Sequence, residues 1–202
     1  MLGDAELGSR RRSYAAKLLP ITKLGVMKIR TIRDERDIDQ LVDLVTGSAD
    51  RALVQVTKAG AGTQGLQALW SMKFSPIGCD PLNADTPLNL IEQLNQTFTY
   101  LATAKALRLL LALHPTLAPF TVNLGTSGGS DIESNVNEGL AAEVFAAVNT
   151  SNNRKLAKDL SKVSKVDAGF KYVFFMCPGY EQGRQIKLEQ EGIQVWSVGE
   201  AL

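Results

Sequence analysis

The sequence predicts an α/β protein in which helices lie on both sides of a mixed central sheet. Three observations predict it. The stretch TPLNLIEQLNQTFTYLATAKALRLLLALHP is a long helix bounded by prolines. Short apolar runs, PFTVNLG, LAAEVFAAV, FKYVFFMC and IQVWSV, have the length and composition of buried strands, and the acid-bearing segment around SDIES adds another before the turn-like NVNEG. Between LAAEVFAAV and FKYVFFMC lies a basic helical segment beginning SNNRKLAKDL, a strand, helix, strand succession that implies a parallel crossover.

The elements follow in order. Residues 1–26, with SRRRSYAAKLLPITKLG, form a basic extension without a long apolar core, open to reading as an arm that contacts DNA or as a segment preceding a natural start at Met27. Residues 27–85 carry a helix and a β-hairpin. DERDIDQLVDL is amphipathic, with Ile38, Leu41, Val42 and Val45 inward, and RALVQVTK and LQALWSMKF read as strands around the glycine tip GAGTQG. That tip matches the GxGxxG spacing of dinucleotide-binding loops, which need a crossover helix and a parallel strand afterwards. The alternation of Ala68, Trp70, Met72 and Phe74 argues for the hairpin instead, and SPIGCDPLNADTP is a loop into the core, residues 86–202. There the long helix starts at Thr86 and Pro87, its apolar positions Leu88, Ile91, Leu94, Phe98 and Leu101 forming the core stripe. Asn89, Glu92, Gln96, Thr99 and Thr103 lie on a neighbouring face. At the C-terminal end, PGYEQGRQIKLEQEG is a turn and short helix stopped by Gly192.

The chemistry concentrates between Gly129 and Lys165. Asp131 and Glu133 share one strand face, Glu143, Phe145 and Ala147 share one face of the next strand, and the turn-like NVNEG between them makes a hairpin on which acids converge. Carboxylates on strands otherwise rich in Ala, Val and Phe need a partner, because an isolated buried charge is costly. Two partners are open: a divalent metal, or a cation from the following helix. That helix carries Arg154, Lys155, Lys158, Lys162 and Lys165 around an apolar stripe of Leu156, Leu160 and Val163. A solvated basic face and structural ion pairs are the plainer reading of the same residues.

In this order of helix, hairpin, acid-bearing strand and basic helix, residues 86–198 resemble the PD-(D/E)XK phosphodiesterase superfamily, whose restriction-endonuclease-like fold is a three-layer sandwich. The resemblance implies metal-dependent hydrolysis of phosphodiester bonds, of DNA in the first place, with Mg²⁺ or Mn²⁺ as cofactor. It matches Asp131 and Glu143 to the two metal-holding acids and Glu92 to an acid on the first core helix. The chain departs from the pattern at Ser130, where Pro is usual, and at Phe145, where a Lys assists the attacking water. Some members supply that cation from the next helix, which points to Lys155, in its first turn, and then Lys158. Arg154, Lys155, Lys158 and Lys162 would contact the nucleic acid. A homodimer is a further expectation from the resemblance. The substitution at Phe145 keeps a second reading open, a nuclease-fold module that binds nucleic acid or protein without cutting; a nucleotide-binding protein built on the glycine loop is the third.

Bulk properties bound these readings. The 202 residues suffice for one sizeable domain, and a formal charge of +1 gives no overall basic character, so phosphate contacts rest on local clusters. Eight basic residues lie between Met1 and Arg33, and six between Arg154 and Lys171. No apolar run is long enough to cross a membrane, and the extension is too polar for a secretory signal, so the expected location is the cytoplasm. Cys79 and Cys177 lack zinc-site spacing, and His114, the only histidine, falls at a helix end, where capping is expected rather than catalysis.

Overall fold

The computed structural model describes residues 28–62, 64–125 and 128–199; the basic extension 1–26 and Met27 lie outside the described residues. Strand β1 (Ile29–Ile32) is followed by α1 (Glu35–Gly60), α2 (Gly65–Phe74), β2 (Gly78–Asp80), β3 (Asn83–Leu88) and α3 (Leu90–Leu113). Then come β4 (Phe120–Asn123), β5 (Ile132–Ser134), β6 (Leu140–Ala146), α4 (Lys155–Val163), β7 (Phe170–Met176), β8 (Gly183–Arg184) and β9 (Gln194–Ser197). Seven of the strands form one sheet in the order β1-β4-β5-β6-β7-β9-β8. It is mixed, as expected: β6 pairs with β7 and β7 with β9 in parallel, and the other neighbours are antiparallel.

Strand periodicity explains the layers. Along β7, Tyr172, Phe174 and Met176 join the core beneath α1 and α3, whereas Val173, Phe175 and the following Cys177 join a second core beneath α4. A central parallel strand buried on both faces reads as a continuous apolar run, which is why FKYVFFMC was legible. Helices thus flank the sheet on both sides. Among the described residues, no helix is long and apolar enough to cross a membrane.

Three expectations are corrected. RALVQVTK is the last part of α1 and LQALWSMKF is α2, so the predicted hairpin is a pair of helices. The buried steps Ile38, Leu41, Val45, Ser48 and Ala52 carry the helical period through the first segment, and short apolar runs fit either period until the packing decides. In α2 the apolar side chains Leu66, Leu69, Trp70 and Phe74 face outward while Ala68, Ser71 and Met72 turn inward. The glycine loop therefore joins two helices, and β2 after α2 pairs antiparallel with β3, so the strand, loop, helix, parallel strand of a dinucleotide site is not formed.

The second correction concerns the long helix. Asn89, not Thr86, is its N-cap, and Thr86 and Pro87 belong to β3, in the segment expected to be a loop. The third is its phase. Gln93, Thr97, Tyr100, Ala104 and Leu107 are buried, while Ile91, Leu94 and Phe98 are exposed. Gln93 sets this phase: its Nε2 donates to the Ser48 carbonyl at 3.1 Å and its Oε1 accepts from Cys79 N–H at 2.9 Å, tying α3 to α1 and β2.

Candidate active site

Register brings the two acids together. Ile132 faces Ala142 in the antiparallel β5–β6 ladder, so one step outward Asp131 stands opposite Glu143, and directly opposed residues share a sheet face. Strand β5 stops there. From Glu143 onward β6 is paired only with β7, which leaves a notch beside it, and at its edge Asp131 Oδ2 accepts from Val144 N–H at 2.8 Å. Glu133 turns away and accepts from Ser130 N–H at 2.6 Å.

Glu143 is the one charged residue in the buried run of β6 and is 2% exposed. Lys162 Nζ donates to its Oε2 at 2.8 Å, while Oε1 is buried without a hydrogen-bond partner. Burial, and secondarily the Asp131 charge, push the Glu143 carboxyl up to about 7. Burial also raises Asp131, against the opposing effect of the Val144 N–H.

Helix α4 supplies more than the sequence suggested. Lys155, Asp159 and Lys162 follow at i, i+4 and i+7 and so share a face. Lys155 Nζ bonds Asp159 Oδ1 at 2.7 Å and lies 5.9 Å from the centre of the Phe145 ring, within cation–π reach. Asp159 is buried, its carboxyl is raised chiefly by burial, and its Oδ2 has no hydrogen-bond partner. Sequence reasoning passed over Asp159; the signal was an acid on the apolar stripe of Leu156, Leu160 and Val163. For Lys162, burial acts most strongly and against the charge, but the bond to Glu143 and the charges of Glu143, Asp131 and Asp159 together outweigh it and raise its pKa.

The structure therefore gathers Asp131, Glu143, Lys155 and Lys162, with Asp159 added. Lys158 and Arg154 are exposed, Arg154 in the left-handed region at φ 56° just before α4. Glu92 sits elsewhere in function: it is exposed in the first turn of α3, where it and Asn89 form a capping box. Phe145 stacks on Phe175 in the core beneath α4. His114 ends α3 and bonds the Tyr172 hydroxyl at 2.6 Å, a structural role.

A cleft of about 780 Å³ opens at the notch. Asp131 and Lys155 line it together with Val144 to Val148, and α3 forms its opposite wall. No protein-family model matches the chain, and comparison with curated proteins and with solved structures finds none that is similar.

Proposed function

We propose that this chain is a metal-dependent phosphodiesterase of the restriction-endonuclease-like type, acting on nucleic acid and on DNA first. The observation that carries the reading is Glu143: a buried carboxylate opposite Asp131, with one oxygen held by Lys162 and the other without a partner. An ion pair serving stability alone gains by satisfying every buried oxygen; an unsatisfied one beside a second acid fits a site that receives a cation.

The residues fit Mg²⁺ or Mn²⁺ in a sparse mode. Among the described residues no group of three or more His, Cys, Asp or Glu is arranged to hold a metal, so Asp131 and Glu143 would be its protein ligands, as suits an ion usually bound by one or two carboxylates. When bound, the ion supplies Lewis acidity toward phosphate oxygens and acidifies water. The chain supplies the rest. Val144 N–H fixes Asp131, and Lys162 holds one Glu143 oxygen and offsets the charge of the acid pair. Lys155, on the cleft, over Phe145 and bonded to Asp159, would meet a phosphate. Lys162 and Lys155 thus divide the work of the Lys that Phe145 replaces.

The second reading, a module that binds without cutting, is favoured by Phe145 itself, which is packed into the core and leaves no cation on β6. One experiment separates them. The full chain is incubated with linear, branched and single-stranded DNA, and with RNA, in Mg²⁺, Mn²⁺ or EDTA, beside Asp131→Asn and Glu143→Gln. Metal-dependent products lost in both variants are expected; binding without products in any metal would establish the second reading.

A further inference from the structure

We infer that the cleft beside Asp131 takes unpaired nucleotide bases, so that the substrate is single-stranded or locally opened nucleic acid rather than intact duplex. The inference rests on the proposed nucleic-acid reading and deepens it.

The lining is what points to a base. Leu94 and Phe98 of α3 remain 43% and 40% exposed and form one wall, and Val148, 79% exposed, stands on the side of β6. These side chains lie outside the two cores on either face of the sheet. Asn95, Asn152 and Asn153 add amides, whose donors and acceptors suit base edges. The volume lies in the range of clefts that enclose small ligands.

Charge points the same way. Among the described residues lining the cleft, Asp131 and Lys155 alone are charged. A groove following duplex DNA neutralises many phosphates with a row of Lys and Arg. Apolar and aromatic walls suit instead unpaired bases splayed out and stacked on a ring, as in single-strand recognition, with Lys155 in the lining to meet the backbone. Because Asp131 lines the same cleft, a base against Phe98 would sit on the side of the acid pair that Asp131 presents.

The test separates binding from cleavage. Affinity of the full chain for a 2-aminopurine-containing single-stranded DNA, its RNA counterpart and the matching blunt duplex is measured in EDTA, for wild type, Phe98→Ala and Phe98→Trp. The expected result is at least about tenfold preference for a single strand, quenched 2-aminopurine fluorescence, about tenfold weaker binding in Phe98→Ala and recovery in Phe98→Trp. Equal or tighter duplex binding, no effect of Phe98→Ala, or no binding of any nucleic acid overturns the inference. Single-strand preference without cleavage in Mg²⁺ or Mn²⁺ upholds the cleft and sinks the hydrolase. Cleavage of duplex with Phe98→Ala unaffected does the reverse.

Discussion

Lys162 Nζ reaches Glu143 Oε2 at 2.8 Å across the packing of α4 on β6, joining a half-exposed cation to an acid that is 2% exposed. The asymmetry matters. The lysine can return to water if the pair is broken, whereas the carboxylate cannot.

Replacing Lys162 by Met should therefore act through Glu143. At pH 8 the variant is expected to lose about 1–2 kcal/mol, less than a fully buried pair because Lys162 is half exposed. At pH 5, where Glu143 is protonated, the loss should nearly vanish. Cleavage, if present, should drop about a hundredfold. Lys155→Met should weaken substrate binding more than turnover. Urea denaturation at both pH values, with kcat and KM for each variant, checks this; equal stability loss at pH 5 and pH 8 would contradict the pairing.

The Glu143 carboxyl, lifted from its ordinary 4.5 to about 7, makes stability depend on pH with a definite sign. Between those values the folded protein holds a proton that the unfolded chain has released, so stability falls as pH rises, by about 3 kcal/mol from this group. Burial of Asp131 and Asp159 works in the same direction. Glu143→Gln, which cannot ionise, should flatten the decline. Unfolding free energies from pH 4 to pH 8 test it, and an unchanged slope would mean that Glu143 does not titrate there.

Gln93 supports a third expectation, about the wall of the cleft. It is 1% exposed and bonds the Ser48 carbonyl, the Ser48 hydroxyl and Cys79 N–H. Gln93→Leu should cost on the order of 3 kcal/mol, since it strands buried groups on two elements. Ser48→Ala, which leaves the carbonyl contact, should cost about 1 kcal/mol. Gly78→Ala should also destabilise, because a Cβ there collides with Gln93 Oε1. Thermal and urea unfolding of the three variants give the ranking; a neutral Gln93→Leu would show that these bonds do not hold α3 in phase.

The sequence by itself determined the alternating layers of the sheet, the parallel crossover through α4, and the Asp131–Glu143 pair. Those depend on local rules: β7 is apolar on both faces, β6 is apolar save for Glu143, and a short turn fixes which residues of a hairpin face each other. Tertiary structure alone decided which lysine meets Glu143. Lys155, nearest in sequence, is bonded to Asp159, and Lys162 two turns on reaches the acid, because the reach is set by how Leu160 and Val163 dock α4 on the sheet. The same holds for α3. Its apolar steps at Ile91, Leu94 and Phe98 satisfy the helical period as well as the buried set does, but burying Gln93 between Ser48 and Cys79 turns them outward and leaves Leu94 and Phe98 on the cleft. Periodicity fixes that a helix has a face; only the groups waiting on neighbouring elements fix which face is inside.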